Sequence, residues 1–308
     1  MAPESPHRLL DRCLGAYLGL ALGDALGATV EFMTPREIAH RFAREGGLHD
    51  QITGGGWLKL PPGAVTDDTT MSLALGDALL EGERRGRPFD TTLVAEHFVH
   101  WWRGKPVDCG NTCRRGIQRY LADGSLQGAP NEGDAGNGAL MRNLPTVIAT
   151  LGDDAAFERV ALAQARITHH HPLSDAAVLG LGHLTRALLR GEDIDAVRTR
   201  ATRWLLQWPV FACMPYPGRA SGYVVDTVQT VLHAFLTHDE PEPAMVWTVN
   251  RGDDADTTGA LVGMLMGARH GVQALPARWL ARLDAATRRA VTDQASSLLA
   301  LALDPTSC

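Results

Sequence analysis

Two short acidic clusters, far apart in the chain, carry the residue types of a single metal site. The first is Thr66, Asp67, Asp68, Thr69 and Thr70; the second is Asp253, Asp254, Ala255, Asp256, Thr257 and Thr258. Each opens an apolar stretch with helical spacing. Carboxylates and threonine hydroxyls, with no cysteine or histidine among them, make a hard oxygen-donor set that suits Mg²⁺, Mn²⁺ or Ca²⁺ rather than zinc or copper. An aspartate ahead of a helix ordinarily caps it, and one cluster alone would be read that way. Carboxylates that converge in a buried site, however, repel unless a cation neutralises them. Asp67, Asp68, Asp254 and Asp256, with neutral oxygens from Thr66 and Thr257, would suit two divalent ions spaced as in two-metal hydrolases. Asp254 and Asp256 reach one side only if the backbone turns between them.

Other residues could join this chemistry. Glu31 lies between Val30 and Phe32, so it needs a partner, and it reads as a ligand or as a base acting on metal-bound water. Asp108 precedes a helix, where it is either a capping or turn residue or part of the site. Gly136, Asn137 and Gly138 open a helix whose free amides would suit a phosphate, although Asn-Gly pairs usually mark only turns. His169, His170 and His171 are consecutive and do not face one another on a helix. One of them as a hydrogen-bond donor in a pocket is a better reading than three ligands to one ion. Tyr223 could stack on a base or ribose, or serve the core.

The elements that must position these residues are helical. No segment sustains the period-two alternation of a strand, and hairpin signals are scarce. An apolar helix is expected over Leu9–Leu26, followed by a capping-box start at Thr34, Pro35 and Glu37. The glycine- and proline-rich stretch 46–63 reads as a long loop leading to Asp67 and Asp68. Asp90 should cap a helix holding Leu93, Val94, Phe98 and Trp101, and another helix should cover Thr112–Leu121. Pro145 should kink or break the helix after Gly138. Further helices are expected near 154–167, 174–189, 193–206, 221–236, 257–270 and 284–303. Gly15, Gly19, Gly23 and Gly27 recur at four-residue spacing, as do Gly259, Gly263, Gly267 and Gly271. Residues so spaced share a helix face. Two glycine-lined faces imply a close approach of two backbones in the middle of the molecule.

Composition narrows the function classes. The chain has 308 residues, 45% apolar and 21% charged, as in ordinary soluble globular proteins. A net charge of −6 argues against broad nucleic-acid binding. The longest uncharged apolar run, Cys13–Gly23, is far shorter than the ~20 residues of a membrane span. The polar stretch Met1–Arg12 lacks the apolar core of a secretory signal. Five scattered cysteines make no disulfide framework and read as free thiols in a reducing cytoplasm, with Cys109 and Cys113 able to share a helix face. With no linker and no fixed-period repeat, one all-α domain over 1–308 is expected.

These motifs together resemble the ADP-ribosylglycohydrolase family. The match is carried by Gly23-Asp24-Ala25-Leu26-Gly27 with Glu31, Thr66-Asp67-Asp68-Thr69, Asp108-Cys109-Gly110-Asn111-Thr112, Gly136-Asn137-Gly138-Ala139 with Met141-Arg142, Thr168-His169, and Asp254-Ala255-Asp256-Thr257-Thr258-Gly259. It is closest to the branch that acts on the nitrogenase iron protein, through Gly54–Pro61, Asn143-Leu144-Pro145 and Tyr223–Thr227. Two departures stand out: Asp253 stands where the family usually has glycine, and Cys109 where it has an aliphatic residue. The resemblance implies a single orthogonal all-α domain and a pair of Mn²⁺ or Mg²⁺ ions, Mn²⁺ favoured. These would be held by Thr66, Asp67, Asp68, Asp254, Asp256 and Thr257, with Glu31 close by. It implies removal of ADP-ribose from an arginine of the iron protein, which reactivates nitrogenase. It also implies PII signalling proteins as partners that recruit a cytoplasmic enzyme to an ammonium-channel complex at the membrane.

On this reading Glu31 and Asp108 are catalytic, Gly136–Gly138 hold the diphosphate, and His169 and Tyr223 line the nucleotide pocket. The 46–63 loop forms part of the mouth. A relative acting on serine-linked or O-acetyl-ADP-ribose, a non-catalytic binder and a metal-dependent phosphatase are the rival expectations.

Overall fold

The computed structural model describes residues 6–303. The polar start of the chain at 1–5 and the fifth cysteine, Cys308, lie outside the described residues. Among those described, the regular structure is helical, with only two isolated bridges, Gly55 to Leu60 and Gly136 to Tyr223.

Fifteen α-helices follow one another among the described residues. They are α1 (Pro6–Gly27), α2 (Pro35–Arg41), α3 (Asp67–Arg84), α4 (Thr91–Arg103), α5 (Asn111–Asp123), α6 (Gly138–Met141), α7 (Leu144–Ala149), α8 (Asp154–Arg166), α9 (Pro172–Leu189), α10 (Ile194–Gln207), α11 (Val224–Thr237), α12 (Pro241–Val249), α13 (Ala255–His270), α14 (Ala277–Arg282) and α15 (Ala285–Leu303). Local chemistry sets several starts. Thr34 and Glu37 form the expected capping box on α2, and Asp90, Asp153 and Asp193 accept backbone N–H bonds at the starts of α4, α8 and α10. Pro145 does break its helix: α6 ends at Met141, and α7 restarts with proline in its first turn. Two short helices, α12 and α14, were not expected from the sequence.

The centre is the antiparallel pair α1 and α13, both buried along most of their length. A helix apolar on all sides belongs inside a protein. Here the two glycine registers meet in order. A methyl added at Gly15 would lie 2.4 Å from the carbonyl oxygen of Gly267, at Gly19 2.1 Å from that of Gly263, at Gly23 2.0 Å from that of Gly259, and at Gly27 2.1 Å from that of Ala255. The backbones are therefore in direct contact over four turns. α15 and α3 pack beside α1, while α9, α11 and α12 pack beside α13.

This register carries the functional geometry. It sets the C-terminal end of α1, with Asp24 and the following Glu31, against the start of α13, with Asp254 and Asp256. The 46–63 loop is pinned across the same end. The Asn250 side chain bonds both backbone groups of His49 (2.9 and 2.8 Å), and His49 Nε2 reaches the Leu26 carbonyl at 2.9 Å. Trp279 Nε1 donates to the Asp50 carbonyl at 2.9 Å.

Candidate active site

Neither acidic cluster caps its own helix. Thr66 and Asp254 stand at the cap positions of α3 and α13, and neither side chain accepts a cap bond. For α3 the cap comes from another helix. Asp24, fully buried in α1, accepts from the Thr66 amide (2.9 Å), the Thr66 hydroxyl (3.0 Å), the Thr69 amide (3.1 Å) and the Thr69 hydroxyl (2.5 Å). Asp67 and Asp68 are thereby left free to turn inward.

They converge with the second cluster across nearly 190 positions of sequence. Asp67, Asp68 and Asp256 bring carboxylate oxygens within 4.8 Å of one another, and so do Glu31, Asp254 and Asp256. Asp256 belongs to both groups. Thr257 donates to Asp68 Oδ2 at 3.2 Å, and Thr66 Oγ1 lies 3.4 Å from the same oxygen. Both clusters sit in the first turns of α3 and α13, where the positive end of the helix dipole favours negative charge.

The electrostatics are those of like charges crowded into a buried site. Burial, reinforced by neighbouring carboxylates, pushes Glu31 up to about 9 and Asp67 up to about 7, and drives Asp68 and Asp256 well above the carboxylate range. Burial raises Asp254 as well, while the Asn137 amide opposes the shift. Asp24 rises to about 6 through burial, held down by the hydrogen bonds from Thr69 and Thr66. Asp68 Oδ1 and Glu31 Oε2 are buried without any hydrogen-bond partner. Orphaned buried oxygens of this kind, within an all-oxygen donor set, fit a divalent cation.

A cavity of about 360 Å³ opens over the clusters. Its lining includes Glu31, Asp67, Asp108, Asp254, Asp256 and Thr257 on one side, and Gly136, Asn137, Gly138 and His169 on the other. Thr66 and Asp68 lie behind it, fully buried. Tyr223, 43% exposed, pairs with Gly136 outside the lining, where Gly222 takes its place. Asp108 is half-buried, with Oδ1 accepting from the Cys109 amide at 2.7 Å, and the Gly110 amide donates to Asp67 Oδ2 at 3.3 Å. A larger cavity, about 580 Å³, lies between α9 and α10. Its lining is mostly apolar, and neither acid cluster faces it.

The glycine segment is arranged differently from a simple anion-binding helix start. α6 is a single turn. The Asn137 amide is committed to Asp254 Oδ2 (2.5 Å) and Thr227 Oγ1 (3.0 Å), tying this wall to the carboxylates. The three histidines divide their roles. His169 faces Gly136 and Gly138 and is neutral, because burial and the charges of Arg142 and Arg115 hold its pKa well down. Its Nδ1 lies 2.8 Å from the Thr168 hydroxyl, which itself accepts from Arg142. Donation by Thr168 to Nδ1 would place the ring proton on Nε2, which lies against Gly136 and Gly138 in the cavity wall. His170 Nδ1 bonds the Gly128 carbonyl, and His171 caps α9.

Sequence reasoning assigned no role to Asp24 or Arg142. The guanidinium of Arg142 is buried beneath the cavity, bonded to the Gly138 carbonyl, to the Gln164 side chain and carbonyl and to Thr168, and stacked over Phe98. Cys109 precedes α5 rather than sharing a helix face with Cys113, and burial raises both thiols, to about 12 and about 11. At Asp253 the backbone φ is +55°, the left-handed region that glycine adopts without strain, which is why glycine suits this position; the structure gives no reason for the aspartate.

The ADP-ribosylglycohydrolase family model matches residues 5–306. The chain belongs to the ADP-ribosylglycohydrolase family. It is 53% identical, over 95% of its length and 97% of the relative's, to an ADP-ribosyl-[dinitrogen reductase] glycohydrolase of Rhodospirillum rubrum. It is 34% identical to an ADP-ribosylarginine hydrolase Tri1 of Serratia proteamaculans, over 92% of this chain and 77% of that one. A solved ADP-ribosylglycohydrolase-related protein complex superposes with a TM-score of 0.82 at 33% identity, covering 96% of this chain and all of that one. The all-α architecture is thus that of this glycohydrolase family. No helix among the described residues is long and apolar enough to cross a membrane.

Proposed function

We propose that this chain, as one ADP-ribosylglycohydrolase domain, hydrolyses the bond between ADP-ribose and an arginine side chain of dinitrogenase reductase, restoring nitrogenase activity. The observation that carries the reading is the pair of carboxylate clusters sharing Asp256 beneath the cavity, in a chain 53% identical to a glycohydrolase of that name. The arginine linkage is further supported by the similarity to an ADP-ribosylarginine hydrolase.

Thr66, Asp67, Asp68, Asp254, Asp256 and Thr257 would hold two divalent cations, Mn²⁺ in preference to Mg²⁺. When bound, such ions supply positive charge that orients the ribose hydroxyls and stabilises developing negative charge. The chain's own groups do the rest. Hydrolysis forms a bond from water oxygen to ribose C1 and breaks the bond from C1 to the guanidine nitrogen, whose electron pair stays on nitrogen. The proton lost by water ends on the departing guanidine, which leaves as guanidinium. Glu31, set beside Asp254 and Asp256 and kept ionised by the charge the cations would supply when bound, is the base that accepts the water proton. Asp108, at the cavity edge, contacts the departing guanidine and relays to it the proton taken up by Glu31. Gly136–Gly138 bring backbone close to the diphosphate, His169 Nε2–H donates to the nucleotide portion, and Tyr223 stacks at the edge. We infer further that attachment to the membrane surface runs through a PII-type partner, a reading supported by resemblance and consistent with the absence of a spanning helix among the described residues.

The test is to give the purified protein Mn²⁺ together with ADP-ribosylated dinitrogenase reductase, serine-linked ADP-ribose and O-acetyl-ADP-ribose. Release from the arginine linkage supports the proposal. Release only from the other two refutes it.

A further inference from the structure

At the mouth of the cavity two large aromatic side chains stand in solvent. Phe32 and Trp57 are each 62% exposed, and their rings meet edge to face with centroids 5.9 Å apart. Glu31 is buried while the next residue, Phe32, is turned outward. That reversal requires φ of +60° at Phe32, a costly conformation for a bulky residue and one that recurs at functional sites.

The strain is held by a two-bond clasp. The Phe32 amide donates to the Asp253 carbonyl at 2.7 Å, and the Asp253 amide donates to the Met33 carbonyl at 2.8 Å. Asp253 is itself left-handed, with its carboxylate exposed at the cavity rim. Trp57 is presented just as firmly. Gly55 and Leu60 exchange both backbone bonds around it, and Gly56 lies so close to the Ala28 carbonyl that an added methyl would come within 2.3 Å. This is a fixed display of apolar surface, not a loose loop.

The charge of the rim selects its occupant. Asp253 stands on the rim, with Glu31 and Asp108 in the lining beside Phe32. An acidic, aromatic surface repels a diphosphate and attracts a cation, which aromatic faces bind through the ring quadrupole. We propose that Phe32, Trp57 and Asp253 grip the polypeptide that carries the modified arginine, on the guanidine side of the bond to be cut. This rests on the arginine-linked reading above and adds how the enzyme distinguishes a protein substrate from a small one.

The experiment compares KM and kcat on two substrates, ADP-ribosylated dinitrogenase reductase and free ADP-ribosylarginine. Trp57→Ala should raise KM for the protein at least tenfold, leave kcat unchanged, and leave the free amino-acid substrate within twofold. Trp57→Phe should recover most of the loss. Asp253→Gly, which keeps the backbone conformation and removes the charge, should move KM in the same direction as Trp57→Ala. Equal losses on both substrates, or none on either, overturn the rim alone. Failure of the wild-type protein to release ADP-ribose from modified dinitrogenase reductase removes the underlying reading and the rim with it.

Discussion

Replacing Gly19 by alanine sets two effects of opposite sign against each other. In an unconstrained helix the change stabilises by about 1 kcal/mol, because alanine loses less backbone entropy and shields the peptide. Here the new methyl would lie 2.1 Å from the Gly263 carbonyl oxygen, where ordinary contact begins near 3.4 Å. The shortfall is about 1.3 Å, and the obstacle is backbone, which cannot rotate aside. α1 and α13 must part, loosening the contacts at Gly15 and Gly23 as well. Overpacking a tight interior costs about 1–3 kcal/mol, sometimes more; a backbone obstacle puts Gly19 at the upper end, about 3 kcal/mol, so after the gain of about 1 kcal/mol the net effect should be a destabilisation of roughly 2 kcal/mol. The same separation carries Asp24 and Glu31 away from Asp254 and Asp256. A misplacement of about 1 Å costs on the order of 100-fold in rate, so activity should fall further than stability alone explains. Urea unfolding with constant m-value reads the first effect, and ADP-ribose release at saturating Mn²⁺ reads the second. Gly23→Ala, with a 2.0 Å approach, should be at least as severe, and Gly15→Ala, at 2.4 Å, milder. A Gly19→Ala protein as stable as wild type, or more so, would refute the reasoning, because propensity would then have outweighed contact.

Four further predictions concern single residues. Asp256→Asn should abolish Mn²⁺ binding in calorimetry and lower ADP-ribose release at least 100-fold with unchanged circular dichroism, and Asp24→Asn should do so while also destabilising α3, since an amide nitrogen would face the Thr66 and Thr69 donors. Arg142→Lys should cost about 2–4 kcal/mol in urea unfolding and raise KM, because one ammonium cannot replace a planar fork that bonds Gly138, Gln164 and Thr168 together. Burial holds the His49 pKa down at about 4 against an ordinary 6.5, so the unfolded chain binds the extra proton first, and stability is lost as pH falls through that window. Between pH 7 and pH 5 the loss due to this residue is roughly 2 kcal/mol, and His49→Gln should flatten the stability–pH slope by that amount; an unchanged slope would exclude it.

Much of the fold was readable because its signals are local. Caps at Thr34 and Asp90, the break at Pro145 and the glycine spacing each follow from a few neighbouring residues. α12 and α14 escaped for the same reason: nine and six residues are too few for a helical period to show, and Pro241 and Pro243 crowd the start of α12. At the candidate site, Asp67, Asp68, Asp254 and Asp256 were conspicuous as clusters. Asp24 was not, since it stands alone, although a single acid in the apolar run through α1 is itself a signal that a buried partner must exist. The role of Arg142 was hidden because its partners come from α6, α8 and the turn after α8. The outward turn of Phe32 was hidden because a positive φ in a bulky residue is imposed by the clasp with Asp253, more than 200 positions away.

The glycine register raises a question of cost that the site answers. Seven glycines lie within α1 and α13, and each forgoes about 1 kcal/mol of helix stability relative to alanine. That total is comparable to the whole stability of a typical domain, about 5–15 kcal/mol. Core packing alone does not require it, because alanine-lined helices also pack, at a slightly greater separation. What greater separation would not allow is contact between the end of α1 and the start of α13. Glu31, which follows α1, could no longer come within 4.8 Å of Asp254 and Asp256 at the start of α13. A sequence pattern poor for helix formation therefore persists where the distance between carboxylates, rather than the stability of either helix, is the quantity being set.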